Sequence, residues 1–431
     1  MPSPHRLLLN AAIPLFLSGS SGIVAQLIGT SLLGHQATVQ LAAFALISAV
    51  LTPVTAAVSG GLRGMAPFVA ACRDRPADAL PILKDARWLS LVLGTAGAGV
   101  MLGVPLIARI SGTPQEVTAE FGALPQLFAV QVLLASAGGG ANGALIALGR
   151  SRLVLWSSLA RTAVEVILLL VLVPRMGVHG TAIALLASGV LALTVSNVLL
   201  LRVSELSGKS LLPGLPRVRE ILRMANVGIP MSGTVVIKFA VMGGVTYAAA
   251  RTGAQGAAAH AILLSLDGLL GLAAFAVGQA LTPEIARAAT PGEARRLNRA
   301  ALTVTAAAVL AGGLVLLAFG EAVLGLFTAD AQVRALALGL LPLLLGYALA
   351  NNCGIVMTAG LTGLKSSTWS LGSALVGYGL LALVLTPLAG WGLAALWTAL
   401  IVVRVLILAG QAVGFIRLSA APAVRHDQVW R

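Results

Sequence analysis

Between Arg299 and Glu321 the chain reads AALTVTAAAVLAGGLVLLAFG, without one ionisable side chain. At about 1.5 Å per residue such a helix is roughly 32 Å long, close to the thickness of a bilayer's hydrocarbon core. Arg295, Arg296 and Arg299 stand immediately before it. The rest of the chain repeats the theme. Of 431 residues, 58% are apolar and only 10% charged, with a mean hydropathy of +0.97. A soluble domain carries about 25% charged residues. Composition therefore excludes a soluble enzyme, a nucleic-acid-binding module and a secreted disulfide scaffold.

Apolar runs between charged or turn-rich breaks give twelve spans: 7–33, 40–71, 88–110, 121–148, 153–173, 179–201, 222–250, 256–286, 300–321, 333–362, 367–388 and 391–416. The longest loop, around 203–219, carries Lys209, Pro213, Pro216, Arg217 and Arg219 and falls mid-chain. The expected organisation is an N-terminal six-helix lobe over 1–202, a cytoplasmic linker over 203–219, a C-terminal six-helix lobe over 220–417 and a cytoplasmic tail over 418–431. With the N-terminus inside, inward segments hold 20 of the 28 Lys and Arg residues. Outward segments hold only Arg109, Arg175, Arg251 and Arg334. That asymmetry places both termini in the cytoplasm of a multi-pass protein of the plasma (cell inner) membrane. The formal charge of +14 is then topology and lipid contact, not a nucleic-acid footprint.

Other chemistry is not written into the chain. The apolar run after Arg6 continues to Leu33, too long for a cleaved signal, so it reads as the first span. Cys72 and Cys353 are far apart in apolar surroundings and argue neither a disulfide nor a metal site. His5, His35, His179, His260 and His426 show no metal-ligand spacing, and no phosphate-cradling loop occurs. No enzymatic constellation, metal or cofactor is expected.

The two halves echo each other. Ile13-Pro14 recurs as Ile229-Pro230 at an offset of 216, and Ala66-Pro67 recurs as Thr282-Pro283 at the same offset. Ala42–Ala45 lies opposite Ala258–Ala261 in that register too, and Leu124-Pro125 matches Leu341-Pro342 with one position more. Gly149-Arg150-Ser151 resembles Leu364-Lys365-Ser366, and Pro174 with Gly177 and Gly180 is answered by Pro387 with Gly390 and Gly392. Six spans per half make this a parallel repeat, the arrangement in which cargo sits between two rocking lobes. Prolines within spans, Pro14, Pro67, Pro230 and Pro283 foremost, remove backbone hydrogen bonds and permit bends. Gly60-x-x-x-Gly64 and Gly139-x-x-x-Gly143 allow close helix contact, with plain packing as the simpler alternative.

Several stretches resemble the multidrug and toxic compound extrusion (MATE) family. Ala12-Ile-Pro-Leu15 and Gly228-Ile-Pro-Met231 open the two halves. Pro174-Arg-Met-Gly-Val-His-Gly-Thr-Ala-Ile-Ala184 is similar to the family's segment opening span 6, and Gly360-Leu-Thr-Gly-Leu-Lys-Ser366 to the one after span 10. The resemblance runs from about residue 6 to 417. It implies an all-α membrane protein of twelve transmembrane helices in two pseudo-symmetric six-helix bundles. The implied function is secondary active export of small organic compounds, drugs or metabolites, by cation antiport with alternating access. The implied partners are a small-molecule substrate and the lipid bilayer, with the chain a monomer. The wider superfamily also contains lipid-linked oligosaccharide flippases and polysaccharide exporters, which remain the alternative.

Six charged residues fall well inside spans, away from their ends: Arg63, Arg161, Glu165, Lys238, Asp267 and Arg404. Each costs about 2.5–3.5 kcal/mol on insertion scales and needs a partner or a purpose. Arg63 can snorkel from span 2, and its repeat counterpart Gln279 keeps a cavity-lining role open. Set against the carboxylates that MATE branches use for coupling, Gly29 stands where a span-1 Asp is found, Lys238 where a span-7 Glu is found and Asn351 where a span-10 Asp is found. Only the span-5 acid survives in kind, as Glu165, with Arg161 one helical turn before it. A sodium site needs several oxygens and net negative charge, so a proton gradient is the expected drive rather than sodium. Arg161 and Glu165 are in ion-pair reach on one helix face. Lys238 and Asp267, at matching distances from the turn near residue 253, are expected to pair. The candidate coupling and cavity residues are thus Glu165, Arg161, Lys238, Asp267, Asn351, Arg63 and Gln279. A cavity with Arg and Lys also suits anionic or zwitterionic cargo.

Overall fold

A computed structural model describes residues 3–35, 38–203 and 213–420. Lys209 and most of the linker lie outside the described residues, as do Arg425, His426 and Arg431 of the tail. The described chain is a succession of apolar helices, the architecture a bilayer demands because it satisfies backbone polar groups internally. They are α1 (Pro4–Gly34), α2 (Thr38–Leu62), α3 (Ala66–Ala70), α4 (Leu80–Leu102), α5 (Val104–Ile110), α6 (Gln115–Ala119), α7 (Leu124–Ala147), α8 (Ser151–Val203), α9 (Val218–Ala250), α10 (Ala254–Arg287), α11 (Pro291–Gly325), α12 (Ala331–Gly363), α13 (Ser367–Ala389) and α14 (Leu393–Ala420).

Two of these need decomposing to count spans. Helix α4 continues into α5 across Gly103 with a 42° bend, making one broken span. Helix α8 has 53 residues, roughly 80 Å at helical rise, far too long for one crossing. It breaks at Gly177, whose φ of 55° and ψ of −133° are non-helical. A Cβ there would overlap the side-chain amide of Gln40, whose Oε1 accepts from Val178 N at 3.3 Å. Two hydrogen-bonded pairs show that the arms of α8 run antiparallel from this point. Ser188 faces Glu165 and Ser196 faces Ser157, so one arm descends as the other climbs. The described helices therefore supply twelve spans, with the break between spans 5 and 6 where Pro174 and Gly177 put it.

Packing divides the chain into Ile13–Val236 and a second unit from Ile237 onward, joined by the start of the chain to Ala12. The division falls inside α1 and α9 rather than in the loop between the expected lobes. Each of these helices contributes its two ends to different units. In the first unit α7 is central, contacting α4, α8 and α2. Its core gathers Leu33, Ile47, Met101, Leu124, Phe128 and Val173. In the second unit α12 is central, contacting α10, α11 and α14. Tyr347, Tyr378, Trp397 and Leu263 are enclosed in its core. There His5 of α1 meets Thr303 Oγ1 of α11 at 3.0 Å.

Element boundaries carry the repeat. Helices α1 and α9 end at Gly34 and Ala250, and α2 and α10 begin at Thr38 and Ala254. Helices α7 and α12 end at Ala147 and Gly363, and α8 and α13 begin at Ser151 and Ser367. Every pair keeps the offset of the Ile-Pro motifs. In that register Gly149 corresponds to Lys365, one position from the sequence pairing, because both hold the left-handed turn after the central helix. Their φ values are 77° and 58°. Lysine there costs about 1–2 kcal/mol that glycine does not. Pro125 also departs from expectation. It sits at the start of α7, where no helical hydrogen bond is lost, whereas its counterpart Pro342 lies inside α12. Pro67 likewise opens short α3, after a 3₁₀ turn at Arg63–Met65. Pro14, Pro230 and Pro283 are inside their helices.

The two glycine motifs separate. A Cβ on Gly228 of α9 would overlap the Gly61 carbonyl oxygen, and one on Gly64 would lie 2.5 Å from Gly228 N. Backbones meet directly here, and Ser232 Oγ donates to Ala57 O at 2.7 Å beside them. A Cβ on Gly143 would meet nothing nearer than Met65 Cε at 4.0 Å. Gly228→Ala is therefore expected to destabilise the protein by about 1–3 kcal/mol, the cost of overpacking. Gly143→Ala should be within about 0.5 kcal/mol of wild type. Thermal unfolding in detergent compares the two, and equal midpoints would refute the backbone contact.

Candidate functional site

Polar side chains inside the first unit form a seam between α1, α7 and the two arms of α8. Serine and threonine can be held in apolar helices because their hydroxyls bond neighbouring groups. Ser18 Oγ donates to Ser158 Oγ at 2.5 Å, and Thr162 Oγ1 donates to Ser21 Oγ at 3.2 Å. Ser157 and Ser196 hydroxyls are 3.0 Å apart, and Ser196 Oγ donates to Asn142 Oδ1 at 2.8 Å. Further along this seam Arg161 Nη2 lies 3.1 Å from Glu165 Oε2, the pair expected one helical turn apart. Ser188 Oγ, on the second arm, donates to the same oxygen at 3.3 Å. The Glu165 side chain is 7% exposed while that of Arg161 is 39% exposed. The acid is thus enclosed and its counter-charge reaches the surface.

The second unit carries a denser cluster. Asp267 of α10 is buried and accepts from Asn351 Nδ2 of α12, at 3.1 Å to Oδ2 and 3.4 Å to Oδ1. Arg404 of α14 is 8% exposed, with its guanidinium carbon 5.7 Å from the Tyr347 ring centroid and 5.1 Å from that of Tyr378. Trp397 packs edge-on against Tyr347 at 5.4 Å and against His260 at 5.8 Å. His260 Nε2 reaches Thr246 Oγ1 at 3.4 Å. Cation–π contact accommodates a guanidinium in an apolar core, yet Arg404 Nε and Nη2 have no hydrogen-bond acceptor among the described residues.

Lys238 and Asp267 do not form the expected ion pair. They are near enough to feel each other's charge, and both feel Arg404. The carboxylate is engaged instead by Asn351, and Lys238 remains half-buried on α9 with no hydrogen bond or ion pair among the described residues. Arg63 is half-buried in its 3₁₀ turn and has a partner. Gln279 is half-buried in α10. Sequence reasoning missed Ser188, Tyr347 and Tyr378. The tyrosines had a signal, since the chain has only three and these two fall in the middle of their spans. Ser188 had none, because its role depends on the fold of α8 back on itself.

Removing the Asn351 donor leaves the Asp267 carboxylate buried without it. Asn351→Leu is expected to cost about 1–3 kcal/mol. Combined with Asp267→Asn, the loss should be less than additive, by about 0.5–3 kcal/mol in a double-mutant cycle of thermal stability. Strict additivity would show that the two side chains do not couple.

The fold and chain match known transporters. Residues 230–388 match the MatE family model. The probable multidrug resistance protein NorM of Aromatoleum aromaticum is 28% identical over 372 residues, covering 80% of this chain and 78% of the relative. Two solved structures share the fold at 19% identity and a TM-score of 0.84, each covering 97% of both chains. One is a transporter of the MOP superfamily from Pyrococcus furiosus, described as having a binding pocket of reverse polarity. The other is the outward-facing conformation of a multidrug resistance MATE family transporter. Twelve spans, a repeat carried by the helix boundaries, a family model over residues 230–388 and the curated relative converge, and the chain is a multi-pass membrane protein similar to the MATE transporters.

Proposed function

We propose that the protein exports small organic compounds across the plasma membrane by proton antiport, with both termini in the cytoplasm and a single chain as the working unit. The setting of Glu165 carries this reading. It is an enclosed acid held by one hydroxyl and one surface-reaching guanidinium, a combination that can gain and lose a proton at little structural cost. The multidrug resistance name of the relative supports drugs or metabolites as cargo. The alternative cation, sodium, is poorly served. Around Asp267 stand Asn351, Lys238 and Arg404, which supply too few anionic oxygens for a sodium cage. No cofactor enters the cycle.

In this cycle cargo would bind with Glu165 ionised, and a proton arriving from outside would neutralise the acid. Arg161 would be released and the two arms of α8 would lose their charged tie at Ser188. The unit would then repack, and access would alternate between the two sides. Pro14 and Pro230 would serve as bending points within α1 and α9, the helices whose ends belong to different units.

Glu165→Gln keeps the shape and one hydrogen-bond acceptor but cannot cycle a proton. Proteoliposomes carrying this variant are expected to lose pH-gradient-driven export at least tenfold while the protein is produced and folds at near wild-type level. Normal proton-driven export by Glu165→Gln would refute the coupling role. Transport by the wild type that ignores both pH and sodium gradients would turn the reading to the lipid-linked oligosaccharide flippase alternative.

A further inference from the structure

Helices α13 and α14 pack along each other and leave an open groove of about 670 Å³ at their seam. Trp369 bonds to Gly410, and Gly377 packs against Ile407 and Val403, so the two helices run antiparallel. Their inner sides join the core of the second unit through Ala374, Tyr378, Val403 and Ile407. The groove has a different lining. Gly372, Val376 and Leu380 form its α13 wall, one helical stripe at intervals of four. Leu406, Gly410 and Val413 form its α14 wall, again one stripe. Val376 is 67% exposed and Leu406 is 50% exposed, so large apolar side chains stand uncovered. Glycine makes the hollow, since a Cβ on Gly372 would meet nothing within 4 Å.

Polar atoms of the lining are engaged within the protein. Trp369 Nε1 donates to Gly410 O at 2.7 Å, and Ser373 Oγ donates to Trp369 O at 2.9 Å. What remains for an occupant is largely hydrocarbon surface. From Thr368 to Leu380 the α13 wall rises about 18 Å, close to the roughly 15 Å depth of one leaflet's hydrocarbon. Cations gather at one end. Arg417 continues the α14 stripe four residues beyond Val413, is exposed, and has no hydrogen bond or ion pair among the described residues. Lys365, also exposed, holds the turn before α13 at that same end. Arg295 of α11 is fixed there too, donating to Ser419 Oγ and Ile416 O at 3.0 Å. No acidic residue occurs in α13 or α14 to repel an anion.

We infer that this groove is a binding site for one anionic phospholipid, with an acyl chain along Gly372, Val376 and Leu380 and the phosphate at Arg417. An apolar hollow of leaflet depth with cations at its end matches a lipid's division into tail and headgroup. A guanidinium suits the phosphate because its fork can donate two parallel hydrogen bonds. A second copy of the chain fits less well. A two-fold axis normal to the membrane keeps like ends together, which would set one Arg417 near the other. The site is separate from Glu165 and from Asp267, and it does not depend on the nature of the cargo. With the termini cytoplasmic, as proposed above, the lipid belongs to the inner leaflet.

The full-length protein is reconstituted into phosphatidylcholine nanodiscs containing a rising fraction of phosphatidylglycerol with brominated acyl chains. Bromine quenches nearby tryptophan fluorescence, and the difference between wild type and Trp369→Phe isolates the Trp369 signal. Brominated phosphatidylcholine at matched fractions is the reference. Phosphatidylglycerol should quench Trp369 at a fraction about fivefold lower, the gain from one basic residue near a membrane surface. Arg417→Gln should remove that preference while both lipids still quench. Gly372→Leu puts a side chain into the hollow and should largely remove quenching by either lipid. Native mass spectrometry gives a second reading, in which the wild type retains one phosphatidylglycerol that Arg417→Gln loses. Arg417 is exposed, so its variant carries the test even if Gly372→Leu does not fold. Equal quenching by the two lipids in the wild type, an intact preference in Arg417→Gln, or unchanged quenching in a folded Gly372→Leu would overturn the assignment. Trp369 shielded from both lipids in a cross-linkable dimer would give the groove to a second copy instead.

Discussion

The bond from Asn351 to Asp267 is where the physics of this protein is most constrained. A carboxylate enclosed among apolar helices has no water to pair with, so its partner must come from a neighbouring span. Meeting that need fixes the rotation of α10 and α12 relative to each other. These two helices form the most extensive contact of their unit, and α11 and α14 pack around α12 in turn. The first unit meets the same need with shorter side chains. Glu165 draws on Arg161 and Ser188, which requires the two arms of α8 to lie side by side. In each unit, buried polar chemistry selects one packing from the many that apolar surfaces alone would allow.

Both halves share a scaffold and differ in their chemistry. Helix boundaries repeat at the interval of the Ile-Pro motifs, and even the left-handed turn after the central helix recurs, on glycine in one half and on strained Lys365 in the other. In that register Glu165 corresponds to Leu381, Asp267 to Leu51 and Lys238 to Gly22. The ionisable groups are therefore not inherited pairs. One unit carries an acid whose counter-charge reaches the surface, and the other sets a buried Arg404 against two tyrosine rings and a carboxylate against Asn351. The glycines of the two sequence motifs divide in a similar way, since Gly64 meets the backbone at Gly228 while Gly143 has open space.

The sequence by itself determined twelve spans, the parallel repeat and the Arg161–Glu165 pair. Each rests on short-range regularity: apolar runs of membrane length, prolines and glycines at a fixed offset, and residues one helical turn apart. Tertiary structure alone decided which long-range partners those residues took. Equal depth along two helices made Lys238 and Asp267 look like a pair, but depth leaves helix rotation free, and rotation gave the carboxylate to Asn351. It also set Arg404 against Tyr347 and Tyr378, brought Ser188 to Glu165, and put the packing division inside α1 and α9 instead of at the loop. A linear pattern records how far a residue stands from a turn. Only the packed helices record which way it faces, and that is what assigns its chemistry.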